Sequence, residues 1–366
     1  MAFPKRAAEA KAHRLAARAL GDRAAGRDAD ASPRSARVLV VYKKSAWQTN
    51  VKERRNPRYL ELVEAGHEAI ARLEAAHAAH LETLEETRRA LAAMGARSVF
   101  RFRGDEGLVE GFDLVVTVGG DGTLLWAARW VGPDVPVLAI NSAPGDSVGH
   151  FCAGRKGTVH RTLEAALNGV LPAFQLTRME VSLDGETITR RVLNDVLFSH
   201  ASPAATTRYI VRVDDGRGHV TMEEQKSSGL WIGPSAGSTA AQRSAGGSVL
   251  PAESESLQFV VREPYLPDDG TGSRRAGPRL RSGIVGREGS IAIVSKIREG
   301  RLFVDGPHRV RDVQLGSEVV LRASDEPLTL LGYPRALAEA RDAQKRRAAG
   351  AHRRATERRR ARKNGR

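Results

Sequence analysis

Cysteine is nearly absent, with Cys152 alone among 366 residues. That excludes an intramolecular disulfide and a multi-cysteine zinc site, and it suits a reducing compartment. No apolar run approaches the ~18–20 residues of a membrane-spanning helix, so no membrane association is expected. His77 and His80 lie three apart without an acid-rich ligand set around them. They read as two side chains on one helix face, and no metal site is expected. Internal repeats are not evident. The N-terminus, MAFPKRAAEAKAHRLAARAL, has neither the apolar core nor the cleavage site of a secretory signal. It is basic, Ala-rich and helix-prone like a mitochondrial presequence, yet acids appear by Glu9 and Asp22. Residues 1–35 therefore read as a disordered or frayed basic leader of a cytoplasmic protein, with a mitochondrial address as the alternative.

Length and a hydrophobic content of 41% allow two ordinary domains, each with its own core. The net charge of +15 is concentrated at one end, where thirteen Lys/Arg from Arg335 onward face Glu339, Asp342 and Glu357. The run RRATERRRARKNGR has no aromatic residue to stack on bases. Residues 333–366 thus read as a helical or disordered solvated tail, in preference to a nucleic-acid-binding arm. Without it the body is mildly basic, which suits an anionic small-molecule substrate.

ARVLVVYK (Ala36–Lys43) reads as a first buried strand. From Leu60 to Met94, apolar residues recur at helical spacing, with Gly66 as a break and Gly95 as a stop. The leucines of this stretch read as core, and a homo-oligomer, dimer or tetramer, is the expected assembly. SVFRF and DLVVTV follow as strands, then a helix over Leu124–Trp130, then the strand VPVLAIN. This order is the grammar of an open, mostly parallel α/β sheet, assigned to residues 36–170, with ligands outside the carboxyl ends of its strands. From 171 to 332 the segments are short, alternating and β-branched, with turns at Asp184-Gly185 and Asp215-Gly216, and indicate a second, all-β domain. YLPDDGTGSRRAGPRLRSG within it reads as a mobile loop.

VVTVGGDGTLL, from Val115 to Leu125, runs a buried strand into a glycine turn. Gly119, Gly120 and Gly122 leave backbone N–H groups open to converge on phosphates, and the helix start adds a positive dipole end. A carboxylate repels phosphate, so Asp121 makes sense facing a hydroxyl, taking its proton as the oxygen attacks phosphorus. The chain has no GxxxxGK[ST] loop, and the turn lacks the third glycine of GxGxxG. Read alone, it could equally be a tight turn whose aspartate caps a helix. A second stretch, GPSAGSTAAQRSAGG (Gly233–Gly247), has Gly237, Ser238 and Thr239 offering backbone N–H groups and hydroxyls to a ligand at a helix start, with Ala240 and Ala241 keeping the approach open. A third, Leu193–Asp195, sets Asn194 and Asp195 where strands would otherwise be apolar, as hydrogen-bonding groups for sugar hydroxyls or as a β-turn.

In this order, GGDGT, Asn-Asp and GSTA followed by Gly-Gly resemble the NAD kinase family, over roughly Val38 to Gly332. NSAPGDSVGHFC, VDDG and QKSSGL look like its mitochondrial-type branch. The resemblance implies an α/β N-terminal domain with a sheet like that of NAD kinases and phosphofructokinases, joined to a β-sandwich-like C-terminal domain. It also implies transfer of the ATP γ-phosphate to the 2′-hydroxyl of the adenosine ribose of NAD, with Mg²⁺ on the nucleotide. Asp121 would then act on that hydroxyl, and Gly119, Gly120, Gly122 and Thr123 would hold phosphates. Leu125 and His150 match positions lining the dinucleotide pocket. Asn194 and Asp195 would hold the ribose and adenine side, and Thr239 and Ala240 match ring contacts. Ser228 replaces a carboxylate that contacts the nicotinamide end, Asp195 stands for a glutamate, and Ala241 replaces an aromatic. A lipid or sugar kinase sharing the turn is one alternative reading, and a non-catalytic dinucleotide binder whose basic tail meets nucleic acid is another.

Overall fold

The computed structural model describes residues 35–107, 109–266, 279–339 and 342. Nearly all of the expected leader and basic tail, and most of the insertion read as a mobile loop, lie outside the described residues. Among the described residues no helix is long and apolar enough to cross a membrane.

The branched apolar runs become β1 (Arg37–Tyr42), β2 (Arg97–Phe102), β3 (Leu114–Gly119) and β4 (Val137–Asn141), parallel neighbours in the order β2-β1-β3-β4. Every residue of β3 and β4 is buried, as in a parallel sheet covered on both faces. Helices α1 (Pro57–Glu64) and α2 (Glu68–Ala93) meet at Gly66, whose φ of +61° makes the expected break. Helix α3 (Asp121–Ala128) begins earlier than the expected Leu124, because the aspartate of the glycine turn is its first residue. A short β5 (Gly154–Arg155) beside β4 and then α4 (Val159–Leu167) follow. α2 and α4 cover one face of the sheet, through Ala90, Leu91, Leu163 and Ala166, and α3 covers the other through Leu124, Ala127 and Ala128.

β6 (Ala173–Leu176) leads into a run of antiparallel strands: β7 (Met179–Leu183), β8 (Glu186–Val192), β9 (Val196–His200), β10 (Thr207–Asp214), β11 (Val220–Ser227) and β12 (Gly229–Pro234). After α5 (Ala241–Ser244) come β13 (Leu257–Arg262), β14 (Ser282–Val285), β15 (Ser290–Ser295), β16 (Gly300–Val304), β17 (Val310–Val313) and β18 (Glu318–Ala323). They form two sheets, ordered β11-β10-β15-β18-β7-β8 and β14-β13-β12-β9-β16-β17. The alternating inward residues of both, among them Val181, Phe198, Tyr209, Ile232, Phe259 and Leu321, pack into one core. The chain is thus an α/β domain with a mostly parallel sheet followed by an antiparallel β-sandwich.

Two strands of the 171–332 segment depart from that assignment. β6 and β19 (Leu328–Leu331) both join the first sheet, in the order β4-β19-β6, with β19 parallel to β4 and antiparallel to β6. Both strands carry apolar runs of four or fewer residues, which do not reveal which sheet they will enter. Fully buried Arg178 fastens this junction. Its guanidinium donates to the carbonyls of Ala128 and Val131 beyond α3, and to those of Glu326 and Pro327 before β19.

Candidate active site

At the carboxyl end of β3, Gly119 and Gly120 are packed so tightly that a Cβ would overlap the side chains of Thr123 and Ser147. Gly122 is exposed and open. Only Gly122, then, leaves its backbone clear to the outside; the other two glycines let the turn lie close on its neighbours. Thr123 is buried with its Oγ1 unpartnered, and Leu125, one turn into α3, is half-buried against the core beneath.

Asp121 is fixed from the far side of the turn. Its two carboxylate oxygens accept the backbone N–H groups of His150 and Phe151, at 2.9 and 3.0 Å. Each oxygen keeps a lone-pair site for a second donor. The imidazole of His150 then reaches in the other direction, with Nε2 3.0 Å from the Tyr333 hydroxyl and 3.4 Å from Thr239 Oγ1. Burial holds its pKa below the ordinary histidine value. Phe151 stacks on Tyr333, ring centroids 5.4 Å apart. Glycine turn, His150 and the GSTA segment are therefore contiguous.

The GSTA segment is a short 3-10 turn, Ser235–Thr239, ahead of the one-turn α5, rather than one regular helix. A Cβ on Gly237 would overlap the carbonyl oxygen of Asn194, so glycine is required for the two loops to touch. Ser238 differs from the expectation that its hydroxyl serves a ligand. It is fully buried, donates to Ser235 O at 2.6 Å and accepts the Leu250 N–H at 3.0 Å, so it shapes the loop. Thr239 and Ala240 lie on the accessible side.

Asn194 and Asp195 occupy the link where the chain crosses from β8 in one sandwich sheet to β9 in the other. Asn194 Nδ2 donates to Asp195 Oδ2 at 2.7 Å. Burial, and next the charge of Asp305, push the Asp195 carboxyl up to about 7. Ser228 is not brought to this cluster within one chain. It precedes β12, whose opposite end, Gly233, touches Asn194, about five strand residues or roughly 16 Å away.

Several participants were not singled out from the sequence. Asp305 is buried, at φ +48°, and accepts the N–H groups of Leu193, Asn194 and Asp195 at 3.2, 2.7 and 3.3 Å. Its carbonyl accepts from Arg129 Nη2 at 3.1 Å, and its own N–H donates to Asp195 O at 2.9 Å. Val304-Asp305-Gly306 reads as an ordinary turn, and nothing in its sequence signals burial. Tyr333 and a basic group were missed for the same reason. Arg129 follows α3, and its buried Nε has no hydrogen-bond partner. Burial lowers the pKa of Lys43, Arg103 and Arg309. Repulsion between Lys43 and Arg103, Arg103 and Arg129, and Arg129 and Arg309 adds to it, and Asp146 beside Lys43 and Asp305 and Glu106 beside Arg309 oppose it. Half-buried cations that repel one another beside an open glycine and an unpartnered N–H form a surface that an anion would stabilise. Among the described residues no three His, Cys, Asp or Glu side chains are grouped to hold a metal.

Comparison with known proteins agrees with this arrangement. A family model described as the ATP-NAD kinase N-terminal domain matches residues 39–170. A probable NADH kinase of Oryza sativa subsp. japonica is 35% identical over 238 residues, covering 61% of this chain and 71% of the relative. The NADH kinase of Arabidopsis thaliana is 32% identical, over 59% and 71%, and an NAD kinase of Syntrophotalea carbinolica is 30% identical, over 63% and 76%. In fold, the chain is similar to an NAD kinase from Archaeoglobus fulgidus solved in complex with ATP, with a TM-score of 0.53, 19% identity, and 83% and 96% of the two chains covered. It is also similar to a yeast NADH kinase complexed with NADH, with a TM-score of 0.54, 18% identity, and 82% and 84% covered. With relatives 35% and 32% identical, each matched over 71% of its length, the chain belongs to the NAD kinase family.

Proposed function

We propose that the protein transfers the γ-phosphoryl group of MgATP to the 2′-hydroxyl of the adenosine ribose of NAD or NADH. The observation that carries this reading is the placement of Asp121. Its carboxylate is held by the backbone amides of His150 and Phe151, the next residue is the open Gly122 beside Arg103, and the His150 ring reaches Thr239 of the segment that touches Asn194. The phosphate chain lies against Arg103, Arg129 and Lys43, with the open backbone at Gly122. Magnesium arrives with the nucleotide as part of the substrate, held chiefly by phosphate oxygens, and supplies charge neutralisation there. The dinucleotide lies along Asn194, Asp195, Thr239 and Ala240.

As O2′ attacks the γ-phosphorus, its proton passes to a free lone pair of Asp121, and the bond from phosphorus to the β–γ bridging oxygen breaks. The electron pair leaves on ADP, where the basic group absorbs the developing charge. The amides of His150 and Phe151 keep the carboxylate aimed without using its remaining acceptor sites.

Asp121→Asn keeps the size of the side chain but cannot take the proton. It should lower kcat by about 100-fold or more while NAD still binds by calorimetry. Turnover within about tenfold of the unaltered protein, only ~1.4 kcal/mol of barrier, would sink the assignment of Asp121 as base.

A further inference from the structure

A buried histidine outside the aspartate cluster joins two of the strand ends that carry it. His80, on α2, is 1% exposed. Its Nε2 lies 2.7 Å from the carbonyl oxygen of Lys43, and its Nδ1 lies 2.9 Å from Ser142 Oγ. A carbonyl only accepts, so Nε2 carries the hydrogen; Nδ1 is then the acceptor, and the Ser142 hydroxyl donates to it. Ser142 is held at one further point: its N–H donates to Gly119 O at 2.8 Å, immediately before the glycine turn. Its carbonyl lies 3.2 Å from Thr83 Oγ1, one turn beyond His80 on the same helix, whose single hydroxyl hydrogen has a nearer acceptor in Ala79 O at 2.7 Å. One imidazole thereby ties together the end of β1, where Lys43 begins, and the end of β4, which in turn holds the end of β3.

We propose that His80 is a positioning residue for the phosphate donor, setting the height of the glycine turn through Ser142 and the direction of Lys43 through its carbonyl. The proposal rests on the reading of this end of the sheet as the donor's phosphate site. Every group in the chain from Lys43 O to Gly119 O is buried or half-buried and has its hydrogen-bond partner. A fully satisfied network of this kind fixes geometry, whereas one missing member leaves its neighbours free to shift. Lys43, His80 and Ser142 make no hydrogen bond to Asn194 or Asp195 among the described residues, so the loss should weigh on the phosphate donor before the dinucleotide.

The test uses His80→Phe, His80→Gln and Ser142→Ala in the full chain. Calorimetric affinity for MgATP, KM for both substrates and the thermal midpoint are measured for each. His80→Phe and Ser142→Ala are expected to weaken MgATP binding by about tenfold with KM for NAD within about threefold, because binding depends on prealigned donors. His80→Gln, which can still donate an N–H toward Lys43 O, should recover part of the loss. A lower thermal midpoint with unchanged MgATP affinity in the folded protein overturns the proposal, as does an equal loss for both substrates. If His80→Phe does not fold, Ser142→Ala decides, since it removes only a hydroxyl. MgATP binding is read without turnover, so failure of the unaltered protein to phosphorylate NAD or NADH would count against the proposed reaction and leave this measurement valid. Absence of MgATP binding by the unaltered protein would overturn both.

Discussion

Asp305 holds the backbone of the Asn194-Asp195 link in place. Three consecutive backbone N–H groups converge on its carboxylate, and its carbonyl takes Arg129 from the other domain. Asn at this position fits the left-handed backbone, but its amide nitrogen cannot accept, so at least one buried N–H loses its partner. Asp305→Asn is expected to cost about 1–3 kcal/mol of stability in urea unfolding and to raise KM for NAD before KM for ATP. Unchanged stability together with unchanged KM values would show that the link is held by something else. Asp121 could be singled out only with the Asn-Asp and GSTA stretches beside it, since the glycine turn alone reads equally as a helix-capping turn. Asp305 was not, since Asp-Gly after a strand is the ordinary signature of a turn. The same limit applies to Ser238, whose hydroxyl looked available until its two internal partners were seen.

At the scale of the element, α2 was legible as a helix from its apolar spacing and its bounding glycines. Its buried polar face was not, because a periodicity argument counts apolar positions and passes over His80, Thr83 and Thr87. That face has a measurable consequence for pH. Burial lowers the His80 pKa from 6.5 to about 4, so between those values the unfolded chain binds the proton that the folded chain refuses. Its contribution is complete above pH 6.5 and is lost as pH falls toward 4. Asp195 has the opposite sign. Raised from 3.8 to about 7, it holds a proton in the fold that the unfolded chain has released, so its contribution declines as pH rises through that range. The two nearly oppose each other between pH 4 and 6.5, each worth on the order of 3 kcal/mol. Urea midpoints measured across this range should change little in the unaltered protein from these two groups. They should fall with rising pH in His80→Gln and rise with it in Asp195→Asn. Parallel profiles in all three would mean that neither group titrates as its burial implies.

For the molecule as a whole, the division into a mostly parallel α/β sheet and a β-rich second domain followed from the change in segment length near residue 173, while the sandwich form of that domain came from the family resemblance alone. The sheet that β6 and β19 would enter did not, because strand pairing is decided by contacts remote in sequence. The C-terminal segment is likewise more than a solvated tail at its start. Tyr333 reaches His150, Arg335 donates to the carbonyls of Ser235 and Leu250, and Glu339 accepts the Ala252 N–H at 2.8 Å. A chain ending at residue 342 keeps all of these contacts and should therefore retain NADP formation within about twofold of full length. One ending at residue 332 should lose it, together with much of its stability. Full activity in the shorter chain would remove Tyr333 and Arg335 from any role in the site.

The order β4-β19-β6 also bears on how the protein comes off the ribosome. β19 is the last strand among the described residues, and its place lies between β4, which begins at residue 137, and β6, which begins at residue 173. Until residue 331 has emerged, the N-terminal sheet has an unfilled slot beside β4, and Arg178 has no Glu326 or Pro327 carbonyl to hold. The nascent N-terminal half must wait, with an apolar edge uncovered, while the entire sandwich is synthesised. An uncovered apolar strand edge invites misassembly, so the N-terminal half is most open to it in the interval before β19 is made.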